Sequence, residues 1–201
     1  MKRLILFFRI LLVFALSFLF FACPPKCNNQ LIVISPIPDS ILNLVPYADG
    51  QKVCLRHSEG TQIVFNCSRN THTEFVDFDH GCGNAIEFEV NRTILTPEYP
   101  LPEINLSIQK IDEEYIDMNL WFAGGNFNFI FYENKVDTLI EYAIGDHNYS
   151  NVWAMKSDYY NSYLNQPELL VDSLYFNAEF GILRIKMNNG ETYDYDVCYK
   201  N

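Results

Sequence analysis

Six segments of this chain alternate apolar and polar residues with a period of two: IEFEV (86–90), INLSI (104–108), MNLWF (118–122), FNFIF (127–131), LRIKM (183–187) and TYDYDV (192–197). That spacing constrains the fold more than any other feature. Successive side chains of a strand point to opposite faces, so an alternating segment buries one face and wets the other only if it is extended. On a helix the same residues would be scattered around the axis. Between the alternating segments lie Gly, Asn, Asp and Pro, the residues that turns require. No stretch shows a convincing 3.6-residue period. The expectation is an all-β domain, an antiparallel β-sandwich or partly closed β-barrel of about 11–12 strands.

Two hairpins can be set in register from the sequence. In VCLRHSEGTQIVF (53–65), a three-residue loop Ser58-Glu59-Gly60 places Leu55 opposite Ile63 and Val53 opposite Phe65. A two-residue loop would set Leu55 against Gln62 and cross the apolar and polar faces. In GILRIKMNNGETYDYDV (181–197), the loop Asn188-Asn189-Gly190 sets Ile185 opposite Tyr193 and Arg184 opposite Asp194. Both loops call for Gly in the left-handed conformation at their third position.

The N-terminus reads as an address. Lys2, Arg3 and Arg9 are the only charges before Cys23, and Ile10–Ala22 is an apolar run of 13 residues. That suits the apolar region of a signal peptide better than a spanning helix, which needs about 20 apolar residues. Pro24-Pro25 ends any helix there. The tetrad Phe20-Phe21-Ala22-Cys23, behind its basic and apolar regions, resembles the lipobox of bacterial lipoproteins. The resemblance implies cleavage after Ala22, lipidation of Cys23, and anchoring of the mature chain to a membrane. Pro24 in place of Asp after the Cys implies the outer membrane of a bacterial envelope. The expected organisation is a cleaved signal at 1–22, a lipid-anchored tether with one edge strand at 23–40, and a single all-β domain at 41–201. The stretch VPYADGQKV near the start of that domain and YFNAEFGILRIKMNNGETYDYD at its end resemble uncharacterised bacterial surface lipoproteins. This second resemblance implies a location rather than an activity.

Six cysteines bear on the fold. If Cys23 is lipidated, Cys27, Cys54, Cys67, Cys82 and Cys198 remain, an odd number in an exported chain that favours disulfides. The first hairpin register puts Cys54 and Cys67 on opposite faces, which excludes that pair. Cys67 and Cys82 flank a 14-residue segment and form one candidate bridge. Cys54 and Cys198 lie on the charged faces of their hairpins and form a second, joining the two ends of the domain. Cys27 is left as the candidate free thiol.

Candidate chemistry is sparse. THTEFVDFDHGCGN (71–84) gathers His72, His80 and Cys82 close to Cys67. These residue types make up a structural zinc set, but their spacing matches no zinc pattern, so His72 and His80 are weak metal candidates and no metal or other cofactor is expected. DFDHG places its Gly at the fifth position, and Phe88 stands where a calcium loop carries Glu. No G-x-S-x-G or phosphate-cradling motif occurs. Asp146, His147 and Ser150 read as a polar turn. Phe127, Phe129 and Phe131 read as core. Trp153, Tyr159, Tyr160 and Tyr163 are weak ligand-binding candidates, able to stack on a sugar or peptide.

Charge narrows the partners. Taking the three basic residues of the signal segment from the chain's 14 leaves 11 against 25 acidic residues, a net charge of −14. Nucleic acid is excluded as a partner on that balance. The expected function is a non-catalytic binding module held at the membrane by its N-terminal lipid, with an envelope protein or glycan as partner. The alternatives are an apolar-ligand carrier or periplasmic chaperone, and an envelope hydrolase.

Overall fold

The computed structural model describes residues 30–77, 85–110, 112, 115–132, 139–157 and 170–198. The chain divides into two compact units, Met1–Ile32 with Val76–Ile86, and Val33–Phe75 with Glu87–Asn201. In the first, the Ala85 amide donates to the Gln30 carbonyl at 3.0 Å. The second contains the core.

The strands are β1 (Leu31–Val33), β2 (Lys52–His57), β3 (Gln62–Asp77), β4 (Ala85–Pro97), β5 (Ile104–Lys110), β6 (Tyr115–Phe122), β7 (Gly125–Tyr132), β8 (Ile140–Ile144), β9 (His147–Lys156), β10 (Val171–Asn177), β11 (Gly181–Met187) and β12 (Thr192–Asp196), with a short helix α1 (Asp39–Leu42) after β1. Eleven strands follow the order β7-β6-β5-β4-β3-β2-β12-β11-β10-β9-β8, and β1 joins off this path beside β4. Two meanders, β2 to β7 and β8 to β12, therefore meet where β2 pairs with β12. The architecture is almost wholly antiparallel β, and the sheet curls strongly into a half-barrel. The partly closed barrel, rather than the sandwich, is the form adopted.

Both expected hairpin registers are present. Leu55 faces Ile63 and Val53 faces Phe65; Ile185 faces Tyr193 and Arg184 faces Asp194. Gly60 and Gly190 close the loops at φ of 91° and 92°. The two hairpins then pair with each other, Tyr195 opposite Leu55 and Tyr193 opposite His57. Their apolar alternation thus continues across four strands onto one buried face.

That concave face is filled by the chain's own N-terminal segment. Ile37, Val45 and Tyr47 enter the core cluster beside Leu55, Phe65, Leu106, Leu120 and Phe176. Ile37 thus packs in the core although it falls within the stretch read as tether. Polar groups on four strands hold the segment. Lys110 on β5 donates to the Ser35 hydroxyl. Glu89 on β4 accepts from the Ile37 amide at 2.8 Å. Arg69 on β3 donates to the carbonyls of Leu42, Val45 and Tyr47 at 2.7–2.9 Å. Ile182 on β11 donates its amide to the Tyr47 hydroxyl at 2.6 Å. Arg69 also donates to Asn91, which in turn donates to Thr71. Burial lowers the Arg69 pKa from its ordinary value, and the carbonyls satisfy its fork in place of a carboxylate.

Candidate functional site

The loop end of the sheet carries a cleft of about 260 Å³ between the Pro46–Cys54 segment, the β10–β11 turn and the residues after β12. Two close fits shape it. Tyr47 is buried with its hydroxyl on the Ile182 amide, and burial pushes the pKa of that hydroxyl well above its ordinary value. Gly181, at φ 81°, lies directly beneath the Tyr47 ring, where a Cβ would overlap the hydroxyl. The second is covalent. Cys54 and Cys198 form a disulfide with Cα atoms 5.2 Å apart, spanning 144 residues. It ties the C-terminal end to β2 at the edge of the cleft.

The walls combine aromatic rings with charges, of which Asp196 and Lys52 are held by partners. Phe180 lies 5.4 Å from Tyr195 and 5.5 Å from Tyr149, ring centre to ring centre. Asp196 accepts from Arg56 and from Gln62, each at 2.6 Å. Lys52 pairs with Glu98 at 3.0 Å, and this hydrogen bond, with one from Asn66, lowers the Glu98 pKa. Further along the outer face, Arg184 grips Asp194 through two bonds of 2.5 and 2.7 Å and donates to the Tyr142 hydroxyl. Asp194 holds the Arg184 guanidinium above its ordinary pKa. The Tyr142 ring stacks on Tyr175 at 3.9 Å.

The residues singled out from the sequence fall in different places. The Cys54–Cys198 bridge is formed. Cys67 is not a half-cystine: it is a free thiol, 4% exposed. The reason is alternation along β3, which turns Ile63, Phe65 and Cys67 inward together, and burial raises the thiol's pKa. Trp153 is likewise no rim residue. It lies on β9, 6% exposed, with its ring 6.0 Å from Phe176 in the core. His72 bonds Glu74 at 2.9 Å, and no group of three metal-binding side chains occurs among the described residues. Cys23, Cys27, Cys82, His80, Tyr159, Tyr160 and Tyr163 lie outside the described residues.

Comparison with family models, curated proteins and solved structures finds no match.

The Tyr47–Gly181 contact joins residues 134 positions apart, which periodicity does not link: the Tyr47 ring packs on Gly181 and its hydroxyl accepts from the next amide, that of Ile182.

Proposed function

We propose that this chain is a lipid-anchored protein of the bacterial cell envelope whose β domain is a non-catalytic binding module. The observation that carries the binding reading is the occupied concave face. Ile37, Val45 and Tyr47 fill it, so ligands are left to the outer face and the loop end. The same packing weighs against an apolar-ligand carrier, which needs that space empty. The pairing of Asp196 with Arg56 and of Lys52 with Glu98 at the cleft weighs against an envelope hydrolase. The anchor reading draws on the Phe20-Phe21-Ala22-Cys23 tetrad and the charge-poor run ahead of it. More than one lipid chain on Cys23 would hold the protein stably at a membrane.

Metabolic labelling with a fatty acid tests the anchor. The wild-type chain should take up label and fractionate with membranes, and Cys23→Ser should do neither. An unlabelled wild-type chain would overturn the lipoprotein reading.

A further inference from the structure

We propose that the outer face of β5, β6 and β7 is a glycan-binding platform for a neutral oligosaccharide. The inference rests on the binding-module reading and gives it a ligand class and a site.

Register assembles the platform. Asn105, Trp121 and Asn126 lie side by side across the three strands, and Ser107, Asn119 and Asn128 form the next row. Gln109 and Asp117 pair in the row after that. The alternate residues Leu106, Ile108, Met118, Leu120 and Phe127 face the core, so this set faces outward. Trp121 is 48% exposed. From Trp121 to Asp117 the platform runs about 13 Å at the usual rise of a strand, longer than one sugar ring.

Three observations select the ligand class. First, an exposed indole on the outer face of the sheet presents a broad apolar face with polar neighbours, which suits the C–H face of a pyranose ring. Second, the neighbours are amides and a hydroxyl, groups that both donate and accept, as sugar hydroxyls do. Third, two acceptors are left without partners. Asp117 is 7% exposed; its Oδ2 takes bonds from Gln109 at 3.2 Å and Asn119 at 2.5 Å, while its Oδ1 has none. Asn126 Oδ1, beside Trp121, is also buried and unpaired. A buried acceptor without a donor is costly. Both oxygens are closed to solvent, so a sugar hydroxyl pairs with either one only when the neighbouring side chains part to admit it. Arg92, which borders the platform opposite Ser107, pairs with Glu74 at 3.4 Å. The platform's own charge is the Asp117 carboxylate, held by amides and not by a cation, which favours a neutral glycan over an anionic one.

The chain's two tryptophans make the test direct. Trp121 is exposed and Trp153 buried, so a ligand on the platform changes the emission of the first and leaves the second as a reporter of folding. The full-length protein in detergent is titrated with cello-, malto-, chito- and manno-oligosaccharides. At least one should saturate a change in tryptophan emission. Read by isothermal titration calorimetry, which needs no tryptophan, Trp121→Ala should weaken that binding tenfold or more, Trp121→Phe less, and Asn119→Ala or Asn126→Ala severalfold, with the emission of buried Trp153 reporting an intact fold. No response to any of the four at millimolar concentration would overturn the proposal, as would binding that survives Trp121→Ala unaltered. Either failure is separable from failure of the anchor, because fatty-acid labelling of Cys23 is read independently.

Discussion

On the outer face of β2, β12 and β11, Arg56 meets Asp196 and Arg184 meets Asp194, with Gln62 and Tyr142 completing the bonds. On the outer face of β5, β6 and β7, the side chains are amides around an exposed indole, and Asp117 and Asn126 each keep an acceptor unused. Both faces belong to one sheet and lie over one core. The first has spent its hydrogen-bonding capacity on itself: Arg56 and Gln62 hold Asp196 across the junction of the two meanders, and Arg184 binds Asp194 and Tyr142 within the β8–β12 meander. The second retains capacity that folding does not use. The difference separates residues that stabilise the fold from residues that face a ligand, and it can be tested on each side.

The largest expected effect is on the closed side. The Cys54–Cys198 bridge spans 144 residues, and in the chain-entropy account a loop of that length is worth about 5 kcal/mol. Urea unfolding with and without reductant should show a drop of that order, and Cys54→Ala with Cys198→Ala should reproduce it. An unchanged midpoint would mean that strand pairing alone secures the junction.

Next comes Gly181→Ala. The new methyl would overlap the Tyr47 hydroxyl, and the residue sits at φ 81°. Left-handed strain and displacement of a buried ring should together cost about 3 kcal/mol. Tyr47→Phe in the same background should recover part of the loss by removing the overlapping oxygen. Failure to recover would place the cost in the backbone instead.

These two sites mark the limits of what the sequence made legible. The all-β class followed from alternation, and the two hairpin registers followed from matching Leu55 with Ile63 and Ile185 with Tyr193. The Cys54–Cys198 pair followed from faces, since both residues take the polar parity of their hairpins. Sequence proximity suggests Cys82 as the partner of Cys67, but parity along β3 turns Cys67 inward with Ile63 and Phe65. A tryptophan near a loop looks exposed until its strand is positioned, and β9 turns Trp153 into the core. The platform was hidden for a different reason. MNLWF and FNFIF each show their alternation, but the rows exist only once β6 is set against both neighbours. The turn that fixes one of those registers, Ala123-Gly124, lacks the Asn-Gly signature that marks such hairpins.

Arg184→Met is the third prediction. It leaves the Asp194 carboxylate, with a side chain only 25% exposed, without its bidentate partner, and removes the donor to Tyr142. A loss of about 2 kcal/mol is expected, read by urea unfolding. On the other face, Asp117→Asn should change stability by less than about 1 kcal/mol. The amide oxygen can still accept from Gln109 and Asn119, and removal of the buried charge offsets the two donors that the NH2 brings to the unpaired Oδ1 position. If Asp117→Asn proves as destabilising as Arg184→Met, the two faces are both structural and their contrast disappears.

The smallest effect concerns the turn that carries the platform. Ala123 and Gly124 connect β6 to β7 as a two-residue loop, with φ of 44° and 77°. Positive φ at both positions is the mirror-image turn that matches strand twist, and Asn is preferred over Ala at its first position. Ala there bears a steric penalty between its Cβ and the following carbonyl, which an Asn side chain offsets by local hydrogen bonding. Ala123→Asn should therefore stabilise the hairpin by about 0.5 kcal/mol, a small rise in the unfolding midpoint. Ala123 also packs partly against the core, so the gain depends on the larger side chain turning outward. Because the turn fixes the register that places Trp121 beside Asn126, a stiffer turn should leave glycan affinity unchanged or slightly higher. A stabilised variant that binds more weakly would show that the platform needs play between β6 and β7.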